Sequence, residues 1–299
     1  MPLVLGVDLG ATNLRVALGE PSGAIAARAT EPVPATGERL AARVAALGRE
    51  LAAGAGTPWE AIAGAAVGVP GVPDGNGFAG LIAGARGLAG APLRELLGAV
   101  LALPVVLEND CNLAALGEQH RRGVADLAFV GVGTGVGMGI VAGGRLVRGA
   151  TGAAGELGHL PLGRTVASAG GLGPLEALAG GAGLAARWSS RVGSAQSARD
   201  AFAAAAGGDE RAQALLGDQA SALAAGVRAV HALLDPALVV LGGGIGSRPD
   251  VLERVRAALG PAGPPLEASA LGEDAGLVGA LLAAVSDPGS PAARQPGAQ

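Results

Sequence analysis

The chain opens on an apolar run, Leu3 to Val7, that stops at the carboxylate of Asp8. Beyond Gly10, Leu14, Val16 and Leu18 alternate with Arg15 and Ala17. This pattern predicts strand, tight turn, strand, with Asp8, Gly10, Thr12 and Asn13 at the tip and Gly10 at positive φ. Leu40, Val44, Leu47 and Leu51 then recur at helical spacing, and Ala63 to Val69 reads as a strand stopped by Pro70-Gly71. Phe78 to Leu88 has no period and is expected to be a loop near a cleft. Leu93 to Leu101 predicts a helix, and Pro104 to Leu107 a buried strand. Leu127 to Val141 repeats the opening design as a second hairpin, with Gly133-Thr134-Gly135 at its tip. Leu215 to Leu234 predicts a long helix with Leu216, Leu223, Val227 and Val230 as its buried stripe and His231 as a structural member. Ala237 to Leu241 is a buried strand ending in a turn, Gly242-Gly243-Gly244-Ile245-Gly246, before helices over Asp250–Leu259 and Ala275–Val285. Ser286 to Gln299, rich in Pro, Gly, Ser and Gln, is expected to be a disordered tail. Strands alternating with helices imply an α/β protein.

Composition narrows the chemistry. With 299 residues, half of them apolar, the chain has enough core for two domains or one large one. All 21 cationic side chains are arginine, since the sequence has no lysine, which excludes a Gly-x-x-x-x-Gly-Lys-Ser/Thr phosphate loop. A net charge of −4 gives no basic footprint for nucleic acid. Cys111 is the single cysteine and has no internal disulfide partner, which suits a reducing compartment. No charged n-region precedes the first apolar run, and Leu127 to Gly144 reads as strand–turn–strand and not as a membrane span, so the expected setting is cytoplasmic.

Candidate chemistry sits at the turns. A hairpin tip with Gly10 and Thr12 offers main-chain N–H groups and a hydroxyl to phosphate oxygens, and Asp8 can hold a cation through water. Asp110 falls where the predicted strand Pro104 to Leu107 gives way to a helix. It is either that helix's N-cap or a carboxylate placed to accept a substrate proton, because ligands of open α/β sheets bind beyond the carboxyl ends of strands. The glycines of Leu127 to Val141 contain no Gly-x-Gly-x-x-Gly, which argues against a Rossmann site. Glu156 and His159, three apart in Gly155-Glu156-Leu157-Gly158-His159, are either a surface turn or polar ligands, and Glu176 marks a helix start. The turn at Gly242-Gly243-Gly244 serves close approach of a ring or ribose, or tight packing.

Asp8-x-Gly10-x-Thr12, Glu108-Asn109-Asp110, Gly133-Thr134-Gly135, Glu156-Leu157-Gly158-His159 and Gly242-Gly243-Gly244 resemble, in order and spacing, the motifs of ROK-family sugar kinases, from Val4 to about Val285. The resemblance implies the two-domain ribonuclease-H-like fold of the actin-like ATPases, with an interdomain cleft. It divides the chain into a small α/β domain over 1–108, joined by the last helix over 275–285, and a large α/β domain over 109–274. It implies ATP and Mg²⁺ held by Asp8, Gly10, Thr12, Asn13, Gly133, Thr134 and Gly135, with Gly242, Gly243 and Gly244 on the adenosine side. It makes Asp110 the catalytic base, and Asn109, Asp110, Glu156, His159 and Glu176 the sugar-binding set. Many members also carry three cysteines that bind zinc. Here Ala167, Ala169 and Pro174 stand at those places, so no zinc is expected. Ala83 to Leu88 replaces a common sugar contact.

The expected reaction is phosphoryl transfer from ATP to a hexose hydroxyl, O6 of glucose by resemblance, in a homodimer; polyphosphate as donor stays open. The alternatives are a kinase for another hexose or an N-acetylhexosamine, and a kinase-like sugar sensor or regulator without catalysis. A DNA-binding helix-turn-helix is not expected, because the first phosphate strand starts by Leu3.

Overall fold

The computed structural model describes residues 2–79, 87–162 and 172–285. The expected tail over 286–299, most of the Ala83 to Leu88 substitution and the Ala167 and Ala169 positions lie outside the described residues. Two units separate. The first takes the chain through Arg121, Arg148–Ala154 and the last helix from Asp274; the second takes Arg122–Val147 and Gly155–Glu273.

In the first unit, β1 (Leu3–Leu9), β2 (Asn13–Gly19) and β3 (Ile25–Pro32) form an antiparallel meander, followed by α1 (Gly37–Gly54). Next come β4 (Ile62–Val69), β5 (Val72–Pro73), β6 (Phe78–Ala79), α2 (Leu93–Leu101), β7 (Val105–Asn109) and α3 (Asp110–Arg122). The main sheet has the order β3-β2-β1-β4-β7, with β1, β4 and β7 parallel. The period of two divides its residues between two cores. Leu5, Val7, Leu9, Leu14 and Val16 pack with Leu40, Val44, Leu93 and Leu97 from α1 and α2. Val4 and Ala66 pack on the other side with Leu113 of α3 and with Ala280 and Leu281 of the last helix, α10 (Ala275–Ala283). The last helix thus packs on β1 and β4 within the first unit. Thr36 caps α1 through the Arg39 N–H at 3.4 Å.

The sequence-based expectations need correcting at several points. Phe78–Ala79 is not loop: it pairs with β5, and Phe78 and Leu88 are buried in the core, so the missing period reflects a two-residue strand too short to show one. Gly10 does not take positive φ; it accommodates the Asn13 carbonyl, 3.3 Å from where a Cβ would stand. The division between units falls after α3 and not before it, because α3 packs on α10 so closely that a Cβ on Gly279 would overlap the Leu113 carbonyl.

In the second unit, β8 (Leu127–Val132), β9 (Val136–Ala142), β10 (Arg145–Leu146), β11 (Leu238–Gly242) and β12 (Leu266–Ala268) form a sheet of order β10-β9-β8-β11-β12. The strands β8, β11 and β12 run parallel. The helices α4 (Pro174–Ala179), α5 (Gly181–Val192), α6 (Ala198–Ala206), α7 (Glu210–Leu234), α8 (Gly243–Gly246) and α9 (Pro249–Leu259) complete it. Leu216, Leu223, Val227 and Val230 are buried as the stripe predicts, and Trp188 is core, with the Arg211 guanidinium 5.7 Å from its ring centre. The helix α7 begins five residues before the predicted start. Asp209 caps it by accepting the N–H groups of Arg211 and Ala212, and the Arg211 guanidinium together with those N–H groups holds the Asp209 carboxyl down at about 2. Among the described residues no helix is long and apolar enough to cross a membrane.

Candidate functional site

The first unit gathers its candidate residues at the carboxyl ends of three parallel strands. Asp8 near the end of β1 is in register with Gly68 of β4, and Gly68 with Glu108 of β7. Two strand spacings, about 10 Å, therefore separate the backbone of Asp8 from that of Glu108, with the Asn109–Asp110 turn next along the chain. Asp8 accepts from Arg15 Nη1 at 3.2 Å, its partner across the hairpin. Its carboxylate lies under α10, where a Cβ on Gly276 would stand 3.2 Å from Asp8 Cγ. The hairpin tip is closed by Gly10 N–H donating to the Asn13 carbonyl at 3.0 Å and by Val33 N–H donating to the Thr12 carbonyl at 3.1 Å, which leaves the Thr12 side chain exposed.

At the β7–α3 turn, the N-cap is Asn109 and not Asp110. Asn109 Oδ1 accepts the Asn112 N–H at 3.0 Å, and its Nδ2 donates to the Gly71 carbonyl at 3.1 Å. Asp110 is the first helical residue, and its Oδ1 accepts the Cys111 N–H at 2.7 Å. The two readings of this turn thus separate onto neighbouring residues: Asn109 terminates the helix, and Asp110 carries its carboxylate at a helix N-terminus, which favours an anion. Sequence reasoning gave no role to Glu108. Its carboxylate is 5% exposed and accepts the Asn109 N–H and Asn112 Nδ2, each at 2.9 Å, and Arg148 Nε at 2.6 Å. The available signal was a Glu and an Asn four apart, where β7 runs into a helix.

The second unit gathers the remainder. The β8–β9 tip is closed by Gly133 N–H donating to the Gly135 carbonyl at 3.0 Å. Its Gly133 and Thr134 carbonyls accept the Gly181 and Ala182 N–H groups at the start of α5, at 2.8 and 2.9 Å. Glu176, in the first turn of α4, accepts the Gly173 N–H at 3.3 Å and lays its Oε1 against Gly135, where a Cβ would overlap it. The 3₁₀ turn Leu157–His159 packs on the same place, since a Cβ on Gly158 would lie 2.6 Å from the Val136 carbonyl and 3.2 Å from Glu176 Cβ. Glu156 Oε2 and His159 Nε2 are 4.0 Å apart and both side chains are exposed. The predicted Gly133-Thr134-Gly135, Glu156, His159 and Glu176 are thus neighbours within one unit.

The glycines after β11 divide by role. The register sets Gly242 beside Gly131, so this turn and the β8–β9 tip leave the same sheet edge. A Cβ on Gly242 would overlap the Phe129 ring, and Gly243 sits at φ +78° with a Cβ position 2.6 Å from the Val132 carbonyl. Both are required by packing. Gly244 has no protein atom within 4 Å of its Cβ position, and neither has Gly133. Their missing side chains are thus free to serve a ligand. Gly244→Ala should leave thermal stability unchanged and raise the KM for nucleotide by about tenfold, whereas Gly242→Ala should cost about 1–3 kcal/mol in urea denaturation. Equal stability losses would remove the distinction.

Among the described residues no three His, Cys, Asp or Glu side chains gather as a metal-binding group. Asp8, a single part-buried carboxylate, fits a hydrated divalent cation shared with nucleotide phosphates, because Mg²⁺ keeps several waters and takes hard oxygen ligands.

The ROK family model matches residues 4–286. A bifunctional enzyme NanE/NanK of Brucella melitensis is 43% identical over 195 residues, 63% of this chain; the chain spans 36% of the length of that relative. An N-acetylmannosamine kinase of Escherichia coli O157:H7 is 37% identical over 291 residues, covering 94% of this chain and 97% of the relative. The crystal structure of a ROK family glucokinase from Streptomyces griseus in complex with glucose and AMPPNP superposes with a TM-score of 0.77 at 28% identity, covering 94% of this chain and 99% of that one. The α/β units have the actin-like ATPase fold, and the chain belongs to the ROK family.

Proposed function

We propose that this chain transfers the γ-phosphoryl group of ATP to a hydroxyl of an N-acetylhexosamine, N-acetylmannosamine being the first candidate. The observation that supports the phosphotransfer reading is that Asp8 is in register with Gly68 of β4 and that a Cβ on the same Gly68 would lie 3.5 Å from Asp110 Cα, one acid suited to a hydrated cation and the other to a proton. The acceptor reading is supported by relatives of nearly full length named N-acetylmannosamine kinase, one of them 37% identical, against 28% for the glucokinase. The glucose expected from the family motifs gives way to this acceptor. ATP as donor is supported by the AMPPNP in complex with that glucokinase. A homodimer in the cytoplasm belongs to the same proposal.

In the reaction, Asp110 accepts the proton of the acceptor hydroxyl while its oxygen bonds to the γ-phosphorus. The bond from phosphorus to the β,γ-bridging oxygen breaks, and the electron pair leaves with ADP. Such a transition state is loose, so positioning and charge neutralisation supply most of the catalysis. Mg²⁺, when bound at Asp8, neutralises charge on the phosphates. In the first unit, main-chain groups of the Gly10 to Asn13 turn are suited to phosphate oxygens and Asn109 to a sugar hydroxyl; in the second, the Gly133 to Gly135 turn is suited to phosphate oxygens, Gly244 leaves room for a nucleoside, and Glu156, His159 and Glu176 are suited to an acceptor's polar groups. A hydrogen-bonding group left unpaired by a wrong sugar rejects it.

The test is a coupled ADP-release assay with N-acetylmannosamine, N-acetylglucosamine, glucose and mannose. N-acetylmannosamine is expected to give the highest kcat/KM, by at least about tenfold over glucose. Preference for glucose would overturn the acceptor, and sugar binding without ADP release would favour a sensor over a kinase.

A further inference from the structure

Glu108 is a charge taken out of water, and its partners are unusually placed along the chain. Oε1 accepts from the next residue's N–H, that of Asn109, and from Nδ2 of the buried Asn112 one helical turn on. Oε2 accepts from Arg148, the first residue of the excursion Arg148–Ala154 that the chain makes back into the first unit. That excursion is a closed leg. Ala154 N–H donates to the Arg148 carbonyl at 3.0 Å, Gly149 and Gly152 bend it at φ +74° and +84°, and a Cβ on Gly152 would lie 3.2 Å from Val72 Cγ1 of β5. The leg ends two residues before Glu156. One buried carboxylate is therefore bonded both to the turn that presents Asp110 and to the root of the leg that leads into Glu156–His159.

We infer that Glu108 and Arg148 are a positioning pair, which fixes the Asn109–Asp110 turn and the origin of the acceptor-binding turn through a single buried carboxylate; the inference rests on the kinase reading above. Asn109 is already held at its N–H, Oδ1 and Nδ2, so Asp110 inherits its direction from a residue with no remaining freedom. Glu108 is the buried member, while the Arg148 side chain is 43% exposed; removing Arg148 leaves a buried carboxylate without its counter-charge, removing Glu108 frees the Arg148 leg, and small displacements at the reacting atoms are costly in rate.

The experiment compares Glu108→Gln, Arg148→Met, the double variant and Arg148→Lys in the full chain. It reads kcat, the KM for each substrate, and hydrogen exchange in peptides spanning 105–116 and 145–154. Each single variant should lower kcat by about tenfold with the ATP KM within twofold. The double variant should be no slower than the slower single, because the two residues act as one unit. Arg148→Lys should recover most of the rate. Exchange should rise reciprocally, in 145–154 for Glu108→Gln and in 105–116 for Arg148→Met. Additive losses, a parallel rise in the ATP KM, or exchange confined to the mutated segment would overturn the pair. Should the wild-type chain phosphorylate no sugar, the kinase reading falls, and the exchange arm alone decides: a reciprocal rise in exchange supports the tether and its absence ends it.

Discussion

Asp110→Ala should lower kcat by about 10²–10⁴-fold while leaving the KM for the acceptor within a few-fold, because it removes the proton acceptor and little of the binding. The geometry makes the result interpretable. Asn109, and not Asp110, caps α3, so its helix start does not depend on the lost carboxylate. Asp110 accepts a hydrogen bond from the Cys111 N–H, and its charge at the helix end contributes about 0.5–1 kcal/mol. Stopped-flow turnover and urea denaturation on the same preparation separate the two effects. Turnover within a few-fold of wild type would remove Asp110 from the proton-transfer role. A stability loss several times larger would mean that it is chiefly structural.

The second large effect concerns folding. Gly279→Ala in α10 should destabilise the first unit by about 3 kcal/mol or more, since the new Cβ would overlap the Leu113 carbonyl and both helices are fixed by the sheet beneath them. Gly98→Ala in α2 is the contrasting case. No protein atom lies within 4 Å of that Cβ position and the backbone is helical, so alanine should stabilise by about 0.5–1 kcal/mol. Chemical denaturation of both variants checks the pair; equal shifts would mean that the α3–α10 approach is looser than its backbone spacing.

The elements legible in the sequence were those whose pattern is local. Both hairpins, the helix Leu93–Leu101 and the stripe of α7 follow from period and turn chemistry, and the structure places them within a few residues of expectation. What stayed hidden depends on pairing across distance. Phe78–Ala79 is a strand only because β5 lies beside it. Gly10 and Gly242 are glycines because of one carbonyl and one ring, neither visible as a spacing. In the candidate site, the residue types at the turns were readable. The sharing of the β7–α3 turn between a cap and an acid was not, because Asn and Asp both suit either place. Glu108 went unassigned because nothing short of the folded chain brings Arg148, forty residues on, to its carboxylate.

The packing of α10 against β1 and β4 sets an order of events during synthesis. The side of β1 and β4 that carries Val4 and Ala66 has only α3 as partial cover until α10 has left the ribosome, while the contiguous stretch Gly155–Glu273 has all its residues earlier. Nascent chains halted short of Ala275 should therefore engage chaperones through the Val4 and Ala66 side of that sheet, and the first unit is completed after the second although most of it is synthesised before.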